Sequence, residues 1–342
     1  MKVDIKYPDI FSFEKEKIFV DLRTRREYDK GTIPGAISLP ILDEKERKEV
    51  SIEYNRGEHN RAKVMAVHFV SEKLPLIFEY INLLQQQKQV VFFCDRGGYR
   101  SKILTDIFVH LNIPVKRLKT GYKGYRQYIH HHLNREICKK EYIVLHGLPG
   151  AGVEKILQGL KELGEDAIIL DQLANYSEGL IHDDKKVQPQ QKIFESLFFE
   201  QLLGTGPVVF IDGTSPCKGK VHIPKELRSE MEKGYQIDLK RDIDDRIAIL
   251  EERFQLLEKD QVQRKMDQLK INEKDQVLQL EWWDRGEYHQ ILKDWIRRND
   301  AHEKKVKNID WEISSGDHDE ILSLLQTKKK ELSLKRKLQL EE

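Results

Sequence analysis

The sequence predicts an α/β protein: two successive layered units, each with a parallel sheet, followed by a helical carboxy-terminal segment. Three observations carry that prediction. Short apolar runs alternate with amphipathic helical patterns through the first two thirds of the chain. Two of the runs, VVFFC (90–94) and IVLHG (143–147), are followed by glycine-rich turns and then by helical periodicity. From Pro224 onward charged residues at helical spacing dominate.

The elements follow in order. KIFVDLR (17–23) and GAISLP (35–40) read as strands. The stretch 63–87 carries helical spacing that Pro75 is expected to break. QVVFFC (89–94) fits a buried parallel strand, because it is a short apolar run bounded by polar residues. RSKILTDIFVHLNI (100–113) is an amphipathic helix, and the stretch from Val115 reads as a strand leading to a glycine turn. A second unit begins near Glu141 with strand, glycine-rich turn and helix. DAIILDQLA (166–174) and GPVVFIDGT (206–214) read as further strands, and QPQQKIFESLFFEQLLG (188–204) as a helix. The expected division is 1–135, 140–240 and a helical extension over 241–342.

Bulk properties set the bounds. The 342 residues allow about two or three domains at ~150 residues each. No run of ~20 apolar residues could span a membrane. The start mixes acids and bases and lacks an apolar stretch, so no secretory signal is expected. The cysteines Cys94, Cys138 and Cys217 are odd in number and far apart, which suits a reducing cytosol better than a disulfide framework. The net charge of +1 makes any nucleic-acid surface a local patch.

The stretch CDRGGYRS (94–101) brings a thiol to the end of a buried strand. Amide groups in such a strand–turn–helix loop converge on an anion, and the helix start adds partial positive charge. Gly97 and Gly98 permit the backbone angles of the turn. Arg96 and Arg100 add full charges, and Tyr99 lies between them. These features favour thiolate over thiol, so Cys94 is expected to be a nucleophile. A cysteine is more often a small buried hydrophobe, but RGGYR would be an odd setting for one. The spacing C-x5-R also matches a phosphatase, whose chemistry would need an acid for the leaving group.

The second glycine-rich turn, GLPGAGVEK (147–155), is a phosphate-binding pattern with key groups missing. The motif G-x-x-x-x-G-K-S/T places a lysine and a hydroxyl directly after its last glycine. Gly147, Gly150 and Gly152 survive here, followed by Val153 and Glu154. The ammonium that neutralises a polyphosphate and the hydroxyl that holds magnesium are both absent. Glu154 would repel an anion, and Lys155 points another way on a helix. Nucleotide hydrolysis by the usual mechanism is therefore not expected.

Several motifs together resemble a known family. FVDLRTRREYDKGTIPGAISLP (19–40) looks like the amino-terminal signature of a rhodanese domain, in which Asp21 and Arg23 would be structural. CDRGGYRS resembles the C-W-R-G-G-M-R-S loop of tRNA 2-selenouridine synthases, and TGYKGYRQYI (120–129) resembles their G-G-Y-K-A-Y-R. In that family a P-loop domain follows the rhodanese domain. Downstream, Gln191, Phe194 and Glu195 match its Q-x-x-F-E stretch. Ser215, Gly219, Val221 and Pro224 match E-x-E-S-x-x-I-G-x-V-x-x-P, and Arg246 matches a helical arginine. The resemblance covers about residues 15–255. Its departures cluster in the second unit: the loop lysine, the segment Tyr176-Ser177-Glu178-Gly179 and the acids near Asp212.

The resemblance implies a rhodanese-like domain, a P-loop NTPase-like domain with a degenerate loop, and a transferase acting on tRNA. Its substrate would be wobble 2-thiouridine, geranylated from geranyl diphosphate and then converted to 2-selenouridine with selenophosphate. Cys94 would be the nucleophile, with Arg96, Gly97, Gly98, Tyr99 and Arg100 holding selenophosphate. No tightly bound cofactor and no metal are implied. Basic runs at 117–135, 218–225 and 328–337 are candidate tRNA contacts. His130 to His132 on one helix would point in different directions, a poor metal set.

Overall fold

The computed structural model describes all residues except 1, 178–184, 186, 214–215, 269–270, 272, 303–307, 315–316 and 342. Residues 1–133 and 134–342 form two compact units.

In the first unit the elements are β1 (Asp4–Ile5), β2 (Lys17–Asp21), α1 (Arg25–Asp29), β3 (Ile37–Ser38), α2 (Glu44–Asn55), α3 (His59–Gln87), β4 (Gln89–Phe93), α4 (Tyr99–His110), β5 (Lys116–Leu118) and α5 (Gly121–Cys138), whose last turn passes residue 133. The strands form one sheet in the order β1-β5-β4-β2-β3, with every pair parallel. β4 lies at its centre, and Val90 to Phe93 are wholly buried. Each such side chain contributes about 2 kcal/mol through burial, which explains the apolar run. The register Asp21↔Phe93 sets the end of β2 beside Cys94.

The break expected at Pro75 does not occur. α3 runs through it for 29 residues. Val70, Ile77 and Ile81, on both sides of the proline, are buried in the core cluster. That packing holds both halves in helix despite the lost backbone donor.

The second unit contains β6 (Glu141–Gly147), α6 (Val153–Glu162), β7 (Ala167–Ile168), α7 (Leu170–Leu173), α8 (Gln191–Leu203), β8 (Val208–Asp212), β9 (Cys217–Lys218), β10 (Val221–His222), α9 (Lys225–Lys233), β11 (Tyr235–Lys240), α10 (Ile243–Phe254), α11 (Lys259–Gln268), α12 (Glu273–Asp284), α13 (Tyr288–His302), β12 (Trp311–Ser314) and α14 (His318–Glu341). Five strands form a parallel sheet in the order β12-β11-β6-β8-β7, and β9 and β10 form a separate antiparallel hairpin.

Two expectations are corrected here. The strand expected over 166–174 stops at Ile168 and turns into α7, because Asp212 accepts the Leu170 amide at 2.6 Å. The segment from Pro224 is not all helix. β11 and β12 join the sheet, and Ile321, Leu322 and Leu325 of α14 bury themselves in its core. The 241–342 segment is thus an extension only over α10–α13, which have a core of their own around Phe254 and Trp295.

Candidate active site

Cys94 follows directly on β4 and is 3% exposed. Its Sγ lies 3.2 Å from Ser101 Oγ, in the first turn of α4. Gly97 takes φ +64°, and Gly98 caps the helix. The loop is pressed backbone-to-backbone on the turn between β5 and α5. A Cβ on Gly97 would lie 1.8 Å from the Lys119 carbonyl oxygen, and one on Gly121 would lie 2.3 Å from the Cys94 carbonyl oxygen. Only glycine fits either place.

The polar groups of the loop divide into two sets. Its carbonyls accept from the surrounding fold: Cys94 from the Tyr122 amide at 2.9 Å, Asp95 from the Lys123 amide at 2.8 Å, and Gly97 from Arg117 Nη1 at 2.9 Å. Arg117 is itself forked on Asp4 at 2.7 and 2.5 Å. The amides of residues 96–100 have no protein acceptor among the described residues. The first amides of a helix also lack intrahelical partners. The loop that follows the thiol therefore carries a run of N–H donors left unpaired among the described residues, the composition an anion requires.

The two loop arginines behave differently. Arg96 is exposed, with its Nε 3.6 Å from Asp95 Oδ2. Arg100 is mostly buried and forked on Glu27, at 2.6 and 3.1 Å. Burial alone would raise the Glu27 carboxyl, but the Arg100 hydrogen bond and charge outweigh it and hold the group at about 2. Glu27 also completes the capping box of α1 with Thr24. The anion role expected of Arg100 is therefore not matched by a free guanidinium. Its charge ties the thiol loop to α1. Tyr99 is 44% exposed at the start of α4.

Asp21 and Arg23 brace the same end of the sheet. Arg23 forks on the buried Asp21, donates to the Gly31 carbonyl at 2.7 Å and lies 4.3 Å over the Tyr122 ring. Thr32 adds a hydrogen bond to Asp21 at 2.8 Å.

In the second unit the glycine-rich loop is knitted into the fold. Gly150 and Gly152 have φ +85° and +90°. Arg246 Nε donates to the Pro149 carbonyl at 2.9 Å while its Nη groups fork on Asp300 at 2.6 and 2.8 Å. Arg241 Nε donates to the Ala151 carbonyl at 2.9 Å. Val153, where the pattern wants lysine, packs on the core. Glu154 pairs with Arg253 at 2.7 Å and Lys155 with Glu252 at 2.7 Å. Lys155 thus faces α10 and does not replace the missing lysine. Asp212, beside the loop at the end of β8, is buried. Burial pushes its carboxyl up, opposed by Lys218, whose Nζ lies 3.8 Å from Asp212 and 2.8 Å from Asp171.

Of the candidate tRNA contacts, Arg117 and Lys218 are thus committed to carboxylates. Lys119, Lys123, His130, His131 and Arg135 are exposed. Glu178, Gly179 and Ser215, and the side chains of 335–340, lie outside the described residues. Sequence reasoning missed Glu27 and Ser101 as site residues, although both stand inside motifs it used.

Comparison with known proteins places both units. Residues 12–128 match the model of a rhodanese-like domain, and residues 140–281 that of a tRNA 2-selenouridine synthase AAA domain. A tRNA 2-selenouridine synthase of Hydrogenovibrio crunogenus is 29% identical over 251 residues, covering 69% of this chain and 67% of the relative. One from Shewanella sp. (strain MR-4) is 28% identical over 252 residues, covering 72% and 64%. One from Sulfurovum sp. is 28% identical over 237 residues, covering 67% and 64%. The matched segment spans about two thirds of the length of these relatives.

Proposed function

We propose that this chain, which belongs to the tRNA 2-selenouridine synthase family by its domains and their order, exchanges sulfur for selenium in wobble 2-thiouridine of tRNA, with Cys94 as the nucleophile. The observation that carries the reading is the thiol loop. A buried thiol lies beside a serine hydroxyl, and the backbone amides that follow it meet no acceptor among the described residues. Such a loop suits selenophosphate, which would lie on the amides of residues 96–100, with Arg96 at its rim and Arg100 holding the loop through Glu27. The base would first be geranylated from geranyl diphosphate, and selenium would displace the geranylated sulfur. The exposed Lys119, Lys123, His130, His131 and Arg135 would contact tRNA phosphates. The reaction needs no resident cofactor and belongs to the cytosol.

The second unit supports a narrower role than the family pattern implies. Val153 and Glu154 leave no ammonium or hydroxyl for a magnesium polyphosphate, so any diphosphate held there would rest on backbone amides alone. That observation favours a second reading: a rhodanese-type sulfur or selenium transferase that has lost the geranyl step. A tRNA-binding relative without catalysis is the remaining alternative.

One reconstitution separates the three. Pure protein is given thiolated tRNA, geranyl diphosphate and selenophosphate, and the nucleosides are analysed. 2-Selenouridine is expected, and is expected to vanish with Cys94→Ser. Failure of geranylation alongside thiosulfate-to-cyanide transfer would move the assignment to the second reading. Activity unchanged in Cys94→Ser would remove Cys94 from the mechanism.

A further inference from the structure

A second thiol of the chain has a partner that the reading above does not use. Cys217 opens β9, and the antiparallel register sets His222 of β10 directly across from it. Cys217 Sγ lies 3.2 Å from His222 Nδ1. Cys217 is half-buried and His222 exposed, so a solute can reach the pair.

The hairpin that carries the pair is held by two glutamines. Gln188 donates to the Lys218 carbonyl at 2.9 Å and accepts from the Lys220 amide at 2.8 Å. It also fills the space at Gly219, where φ is +59° and a Cβ would lie 2.3 Å from its Oε1. Gln191 brackets the His222 backbone, donating to its carbonyl and accepting from its amide, both at 2.9 Å. Lys218, one residue on, sends its ammonium to Asp171 and Asp212. Successive strand residues alternate faces, so the thiol and the imidazole share the other face. No group of three or more His, Cys, Asp or Glu side chains able to hold a metal ion occurs among the described residues. A thiol and an imidazole at this distance, on a braced backbone, form a nucleophile beside a base.

We propose that Cys217 and His222 form a second nucleophilic site, which accepts a sulfane sulfur or selenium atom from a persulfide or perselenide. His222 takes the Cys217 proton. The thiolate attacks the outer chalcogen of the donor, and a bond from Cys217 to that atom forms as the donor's own sulfur–chalcogen bond breaks. The donor leaves as a thiolate and takes the proton from His222. The sulfane atom moves between thiols, and no outside oxidant or reductant is consumed. The assignment rests on the role proposed for Cys94 only where Cys94 is the donor.

The test has two arms. In Cys94→Ser/Cys138→Ser protein, Cys217 is the remaining thiol. Incubation with glutathione persulfide is expected to add the mass of one sulfur atom to the Cys217 peptide. His222→Gln and His222→Asn, which leave both Gln191 backbone contacts available, are expected to slow iodoacetamide labelling of Cys217 by roughly tenfold or more. In Cys138→Ser protein loaded with thiosulfate, sulfur on the Cys217 peptide would identify Cys94 as donor. Sulfur confined to Cys94 there, with the first arm positive, would identify a free persulfide as donor. Should Cys94 fail to load, its own role fails and the first arm still decides. An unmodified Cys217 in the first arm, with both His222 variants labelling at the parent rate, overturns the proposal.

Discussion

The molecule uses one backbone device twice, and the two copies differ in what their polar groups face. In both units a central parallel strand ends in a glycine-rich turn and a helix. The turn after β4 spends its carbonyls on the fold, leaves its amides without an acceptor among the described residues, and sets its thiol against a hydroxyl. In the turn after β6, two arginines anchor the carbonyls of Pro149 and Ala151, while a core valine and a paired glutamate stand where phosphate ligands would be. The first turn keeps the groups that the proposed chemistry needs, and the second ties its carbonyls to arginines of the surrounding fold. Shared backbone geometry therefore says little about activity until the partners of each carbonyl and amide are known.

The comparison can be broken at the glycines. Gly97→Ala would drive a Cβ to 1.8 Å from the Lys119 carbonyl oxygen. It is expected to lower thiosulfate-to-cyanide transfer by more than roughly a hundredfold, since small displacements of a reacting group are costly. Gly150→Ala, whose Cβ would lie 2.6 Å from the Arg246 carbonyl oxygen, is expected to lower the unfolding temperature and spare transfer. Equal loss of transfer in both would erase the distinction.

Arg246→Met comes next. It removes the two bonds to the part-buried Asp300 and frees the Pro149 carbonyl, a loss of about 3 kcal/mol, the upper end for hydrogen bonds to a charged group. Urea unfolding should show that loss in the second unit, with transfer unchanged.

Glu27 gives a smaller effect with a defined sign. Its carboxyl is held at about 2 against an ordinary value of 4.5. The Arg100 pair therefore contributes stability that is fully present above pH 4.5 and is lost as pH falls toward 2. Glu27→Gln should cost about 2 kcal/mol near neutrality, the scale of a part-buried hydrogen bond to a charged group. It should also flatten the acid limb of the thermal-unfolding profile. A parallel acid limb in the variant would count against the pair.

The smallest effect is expected from repairing the second loop. Val153→Lys with Glu154→Ser restores the motif on paper. No nucleotide hydrolysis should appear, because Asp212 stays buried against Lys218 and Asp171. Measurable turnover would show that the loop had lost only its side chains.

Much of this was legible in the residues. The apolar run before Cys94 and the glycines after it announced the thiol loop, and the gap at Val153 and Glu154 announced the altered phosphate loop. What stayed hidden depends on contacts distant in sequence. Arg100 read as an anion ligand until Glu27, 73 residues away, claimed it. Arg246 matched a motif, but its bridge from the loop to Asp300 has no local signature. β12 is four residues in a charged background, and only its pairing with β11 makes it a strand. α3 continues through Pro75 because its buried face outweighs the local signal.

The central claim is that the chemistry of this chain begins at Cys94. The most direct measurement is the mass of the Cys94 peptide after the intact protein meets thiosulfate. The account predicts one added sulfur atom there, released by cyanide, while sulfite appears in solution. A Cys94 peptide that stays unmodified while the protein still forms thiocyanate would contradict it.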